Sequence, residues 1–267
     1  MQLRAPTRKA IELKPARPNL GVAAAYQARL DALIHQMHKS ILYWVTAAYR
    51  ANTPEIAQDA SPAVEMQKLM TKLARRWTKA FDQGAKELAA HFADKAMGGT
   101  DANLKAILKR AGFSVPFKRT AAVNDAYQAV IFENVGLIKS IASEHLADVQ
   151  GFVMRSVQAG RDLGPLRDEI VHRYGLTKKR AALIARDQNN KATAVMDRAR
   201  MDALGITKAK WHHSGGGKEP RESHLKADGT IFDVKKGCLI DGEYIQPGEL
   251  INCRCIKSAI IPGFDDE

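Results

Sequence analysis

The sequence predicts an α+β protein, with an elongated all-α N-terminal region of long helices followed by a small β-rich C-terminal domain. Apolar residues recur at three- and four-residue steps through most of the first 204 positions, the mark of helices that each bury one stripe. Aromatic residues make up only 6% of the chain and alanine is abundant, which favours helices packed through small and aliphatic side chains over an aromatic-rich sandwich. From Gly205 onward, glycines, turn signals and short alternating runs replace the helical period. The expected organisation is a basic extended arm over 1–20, a helical region over 21–204 and a β-rich domain over 205–267.

The arm carries Arg4, Arg8, Lys9, Lys14 and Arg17, interrupted by Pro6, Pro15 and Pro18, and reads as a loosely ordered extended tail. A helix is predicted from about Val22 to Arg50, with Leu30, Ile34, Met37, Ile41 and Val45 on one face. A second begins at Ser61-Pro62, a good cap and first-position pair, and runs to about Met97, where Gly98-Gly99 is expected to end it. A short helix over 101–110 follows, then a break at Gly112 to Pro116. The third long helix spans about Thr120 to Gln158. Next come a helix from Leu163 to Arg173, a stop at Tyr174-Gly175, and a basic helix from Thr177 to Ala203. In the C-terminal part, Asp241-Gly242 between Cys238–Ile240 and Glu243–Ile245 is a hairpin signal, since both central turn positions prefer positive φ. Trp211 falls in a strand-like run before the Gly215 to Gly217 loop, and Asp265 to Glu267 reads as a solvated acidic tail.

Charge and cysteine content narrow the function classes. Lys plus Arg number 41 against 29 Asp plus Glu, a formal net charge of +12, which implies an acidic partner, most commonly nucleic acid. The excess concentrates in the leader and in the helix after Thr177, where Lys178, Lys179, Arg180, Arg186, Lys191, Arg198 and Arg200 are candidate contacts to DNA phosphates. The alternatives for this helix are an ordinary solvated face or a surface pairing with an acidic protein. Three cysteines cannot all pair, so a secreted disulfide scaffold is not expected. The leader lacks a continuous apolar core, and no stretch approaches the roughly 18 apolar residues of a spanning helix, so a soluble chain is expected.

His224, Cys238, Cys253 and Cys255 form a zinc-type ligand set in the last segment, with His212 and His213 upstream. The Cys-x-Cys pair puts both side chains on one face of a strand, yet the paired knuckles of a usual structural site are missing, and packed free thiols are the competing reading. Arg221, Glu222 and His224 admit a general acid–base reading or a hydrogen-bonded lock on loop backbone groups. His212-His213 with Asn252 also hints at an HNH-type nuclease, but that arrangement needs a further histidine after the asparagine and His224 is the last in the chain.

Taken in order, Trp211, Arg221, His224, Asp228-Gly229, Pro247-Gly248 and Asn252-Cys253-Arg254-Cys255 resemble the C-terminal signature of the phage Mu F-like head morphogenesis family. The preceding Arg186-Asp187-Gln188-Asn189 and the Leu204-Gly205-Ile206 exit are similar too, and the resemblance covers about Thr177 to Ile261. It implies a minor capsid protein of a tailed bacteriophage or prophage, made in the bacterial host cytoplasm and held in several copies inside the head near the portal. Its partners would be the portal or major capsid protein and double-stranded DNA bound without sequence preference, with no membrane contact before delivery. The family often has an Asp just before the Arg, where this chain has Pro220, which leaves Arg221 and His224 a structural role. On this reading the protein is not an enzyme and needs no cofactor, with zinc as the alternative. A metal-dependent nuclease or particle-borne toxin using His224, Cys253 and Cys255 is the competing function.

Overall fold

The computed structural model describes residues 10–51, 61–215 and 219–262. The leader residues Arg4, Pro6, Arg8 and Lys9, the loop residues Gly216 and Gly217, and the acidic tail lie outside the described residues. Four long helices come first: α1 (Leu20–Ala51), α2 (Pro62–Arg110), α3 (Ala121–Gln158) and α4 (Leu163–Ala203). A short β1 (Ile11–Glu12) precedes them. After them come β2 (Lys208–His212), the single-turn α5 (Glu222–Lys226), β3 (Ile231–Asp233), β4 (Cys238–Ile240), β5 (Glu243–Ile245) and β6 (Ile256–Ile261). The α+β class holds: long helices, then a small antiparallel sheet region.

Two expected helix ends are absent. Gly98-Gly99 does not end α2, which runs on to Arg110. Thr100 donates its hydroxyl to the Ala96 carbonyl at 2.8 Å, and Gly99 sits beside the Asn19 side chain, whose Cβ is 3.6 Å from where a Gly99 Cβ would stand. Tyr174-Gly175 likewise falls inside α4, where Tyr174 stacks on His38 at 4.2 Å and Thr177 donates to the Arg173 carbonyl at 2.9 Å. A helical glycine costs only about 1 kcal/mol against alanine, which tertiary packing of a long helix outweighs. The stop at Gly205 is real. Its φ of 71° allows Ile206 N–H to reach the Met201 carbonyl at 2.9 Å, with Gly205 N–H on Asp202 at 3.0 Å, and this pair of bonds closes the last turn of α4.

The chain divides into two compact units. One comprises Ala23–His91 and Ile131–Ala185, and its described residues lie mainly in parts of the four helices. Leu30, Ile34, Met37 and Ile41 of α1, Met66, Met70 and Phe81 of α2, and Ile138 and Ile141 of α3 are fully buried there. Within this helical unit the Tyr26 hydroxyl donates to Asn134 Oδ1 at 2.9 Å, a polar pair sealed from solvent.

The other unit comprises Met1–Val22, Phe92–Val130 and Arg186–Glu267. Its four-stranded sheet has the order β1-β6-β2-β3, all neighbours antiparallel, and β4-β5 forms a separate hairpin. Trp211 pairs with Lys257 and Ala209 with Ala259, which turns Trp211 and Ala209 into the core with Leu104, Leu108, Phe232 and Val234. The hairpin turn is as expected, with φ of 54° at Asp241 and 84° at Gly242. The loose-tail reading of the leader fails for its described part. Ile11 and Glu12 pair with Ile261 and Ile260, Leu13 and Ala16 are buried, and Glu12 binds Lys210 at 2.8 Å. That bond to Lys210 is the main reason the Glu12 carboxyl titrates below its ordinary range. Alternating side chains on a sheet edge explain the order: Ile11 and Leu13 frame a residue whose charge is met across strands.

Candidate functional site

The motif residues converge in the sheet-bearing unit, in three layers around Trp211. The first is the turn behind β2. Asp228 Oδ1 accepts the His213 N–H at 2.8 Å, and Gly229, at φ 80°, donates to the Trp211 carbonyl at 2.9 Å. These bonds fix the end of the strand from which Trp211, with no exposed surface, enters the core. His212 is used elsewhere, its Nε2 lying 2.7 Å from Ser258 Oγ and 3.3 Å from Glu12.

The second layer is the loop leading to β6. Gly248 and Asn252 have φ of 84° and 60°, and the Asn252 N–H is held by Asp187 Oδ1 at 2.6 Å. Arg221 donates to the Ile251 carbonyl at 3.0 Å, which clips the start of α5 onto the loop. Arg254 is partly buried and lines a small cavity with Asp197 and Lys257.

The third layer is His224 with the Cys-x-Cys pair. His224 Nδ1 lies 3.5 Å from Cys253 Sγ and 3.6 Å from Cys255 Sγ, and the ligand atoms of the three residues all fall within 4.8 Å of one another. All three side chains are buried. Trp211 meets the His224 ring edge-on, centroids 5.3 Å apart. Gly248 N–H donates to Cys253 Sγ at 3.4 Å. The Cys255 thiol, donating to its neighbour, brings Cys253 down to about 5 and is itself pushed up, because one proton serves both sulfurs. Cys238 stays apart. It is buried in β4 opposite Ile245, where desolvation raises its thiol pKa, and it does not belong to the group.

One face of α4 holds this assembly in place, and sequence reasoning missed it. Asp187, Asn190, Ala194 and Asp197 follow at three- and four-residue steps, and each touches the C-terminal segment. Asp187 takes the Asn252 N–H, Asn190 Nδ2 reaches the Cys253 carbonyl at 3.4 Å, and the Ala194 carbonyl accepts from Lys257 Nζ at 3.1 Å. Asp197 pairs with Lys257 at 3.2 Å, side chains 4% and 2% exposed. Burial raises the Asp197 pKa, although the lysine beside it pulls the other way. The signal was a line of polar residues at helical spacing in a helix read as a candidate DNA-contacting face, with a solvated face as the alternative.

Residues 147–258 match the family model described as Phage Mu protein F like protein. This segment, less than half of the chain, is similar to that family. Two curated relatives are similar. An uncharacterized protein of Haemophilus influenzae is 33% identical over 148 residues, 55% of this chain and 32% of that protein. The uncharacterized protein YqbB of Bacillus subtilis is 34% identical over 67 residues, 21% of this chain and 22% of that one. The chain thus spans about a third or less of the curated relatives it matches. No solved structure matches it.

The basic residues expected to meet DNA are used unevenly around the Mu F-like segment. Lys179 and Arg186 are exposed. Lys178 lies 3.9 Å from Asp31 and over the Tyr174 ring, Arg180 binds Glu144 at 2.8 Å and Ser140 at 2.9 Å, and Lys191 lies 3.9 Å from Asp187. Arg198 donates to the Lys235 carbonyl. Arg200 is a correction: only 4% exposed and bound to Asp101, it has no surface to offer a phosphate. No described helix is long and apolar enough to cross a membrane.

Proposed function

We propose that the protein is a minor head protein of a tailed bacteriophage or prophage, positioned inside the capsid near the portal vertex, where it aids head assembly and the packaging or delivery of DNA. The observation that carries this reading is the family match over 147–258, whose signature residues are the ones that interlock Trp211, α5 and the Asn252–Cys255 loop into one fold. The net charge of +12 supports it physically. Cationic side chains facing dense packaged DNA release phosphate counterions, so binding is non-specific and weakens steeply with salt. Lys179 and Arg186 are the exposed members of the basic set best suited to that contact. Residues that spend their charge on internal carboxylates add little to it.

The test has two arms. Purified protein is titrated with unrelated DNA duplexes across a salt series, and separately mixed with the portal and major capsid proteins of the phage or prophage that carries it. Sequence-independent, salt-sensitive binding or stable capture is expected. Binding to none of these at low salt sinks the proposal. Cleavage of the duplex with divalent ions, lost in His224→Ala, would replace it with the nuclease reading.

A further inference from the structure

We infer that His224 Nδ1, Cys253 Sγ and Cys255 Sγ form a three-ligand binding site for a single zinc-class cation. The argument starts from distances. A tetrahedral ion about 2.3 Å from sulfur and about 2.05 Å from an imidazole nitrogen places nitrogen and sulfur about 3.6 Å apart. The two nitrogen–sulfur separations are 3.5 and 3.6 Å. Hydrogen bonding accounts poorly for this equality. A neutral imidazole nitrogen has one lone pair or one proton in the ring plane, so it serves one sulfur well, whereas here a single nitrogen faces two at the same distance. A cation seated between the three atoms satisfies all of them at once.

The surroundings are those of a thiolate site. Cys253 Sγ accepts the Gly248 N–H at 3.4 Å and is approached by the Cys255 N–H, while the Ser214 N–H is directed to Cys255 Sγ. Trp211 Nε1 is buried without a partner at ordinary hydrogen-bond distance. N–H donors aimed at sulfur favour its anionic form, and such outer partners orient and tune metal ligands. Two sulfurs and one imidazole make a soft donor set that suits zinc over calcium or magnesium. The ligands come from α5 and from the residues just before β6, 29 and 31 positions apart. An ion therefore cross-links the one-turn helix to the sheet, a staple for a unit with short strands. Cys238 takes no part, so the set is narrower than the four residues the sequence suggested.

The full-length chain, purified without chelator and supplied with equimolar zinc, is analysed for metal by mass spectrometry, and the zinc is then exchanged for cobalt. The expected results are one ion per chain and a cobalt spectrum with thiolate charge-transfer absorption from two sulfurs. Cys253→Ser and Cys255→Ser are expected to weaken binding by at least about 100-fold, beyond the usual effect of an outer partner. Cys238→Ser keeps full binding. Absence of stoichiometric metal, undiminished binding in Cys253→Ser, or lost binding in Cys238→Ser overturns the site. If the serine variants do not fold, the wild-type cobalt spectrum still decides, since absorption from no thiolate or from three contradicts the assignment.

Discussion

Arg200 closes both arms of its guanidinium on the Asp101 carboxylate, at 2.7 and 2.6 Å, across 99 residues of sequence. The arginine also donates to the Lys118 carbonyl and lies over the Phe117 ring, so every part of the head group is engaged inside the sheet-bearing unit. Asp101→Ala strands a buried cation and is expected to cost about 3 kcal/mol in urea unfolding. Arg200→Lys keeps the charge but not the planar fork, and most of that loss persists. DNA titrations give the complementary result. Arg186→Ala lowers the salt dependence of binding, while Asp101→Asn leaves it unchanged, because the Arg200 charge never faces solvent. An equal loss of slope in both variants would refute the assignment.

Asp197 and Lys257 make the deeper ion pair, and their energetics have a distinctive expectation. Removing one partner, as in Lys257→Met, leaves a buried carboxylate with its attraction gone and is expected to cost about 3 to 5 kcal/mol. The double change Asp197→Leu with Lys257→Met removes both charges and is expected to recover most of that loss. Thermal or urea unfolding of wild type, Asp197→Leu, Lys257→Met and the double variant checks the cycle. Simple addition of the two single effects would mean that the pair is not coupled.

Glycines separate by what surrounds them. At Gly237, φ is 96° and an added Cβ would stand 2.8 Å from the Ile245 carbonyl oxygen, which is backbone and cannot swing away. Gly237→Ala is therefore expected to destabilise by at least about 2 kcal/mol through strain and displacement of the β4-β5 hairpin. Gly84 and Gly136 lie inside α2 and α3 with nothing within 4 Å of an added Cβ. Alanine at either is expected to stabilise by about 0.5 to 1 kcal/mol. Melting temperatures of the three variants should move in opposite directions accordingly.

Local chemistry was legible where one residue pair decides the backbone. Asp241-Gly242 predicted a turn because few other pairs tolerate two positive φ values, and Gly205 marked a true helix end. Gly98-Gly99 and Tyr174-Gly175 misled because a glycine inside a helix costs so little that distant partners, Asn19 and His38, settle the matter. The candidate site was visible as residue types and not as a set. Cys238 and Cys253 look alike in one dimension, and only the sheet register sends Cys238 away from His224. The α4 seam of Asp187, Asn190 and Asp197 hid among lysines and arginines, since a polar helix face carries no mark of whether it meets water or a loop backbone.

His145 provides a pH test confined to the helical unit. Its ring has no exposed surface, Nδ1 lies 2.9 Å from Thr177 Oγ1, and Nε2 is buried without a partner. Burial, helped by the positive Arg173 and by His38 nearby, lowers its pKa from 6.5 to about 4. The folded state therefore holds a neutral ring at pH values where the unfolded chain already binds a proton. Stability from this group is complete above pH 6.5 and is lost as pH falls from there to about 4, below which the loss levels off. The shift corresponds to about 3 kcal/mol at full extent. His38, also lowered mainly by burial, acts in the same direction, so replacing His145 alone removes only part of the slope. Urea unfolding of wild type and His145→Gln at pH 7.5 and pH 4 isolates that part, because carboxylate contributions cancel between the two proteins. The glutamine variant is expected to lose less stability on acidification. Identical losses in the two proteins would show that His145 is already protonated in the fold.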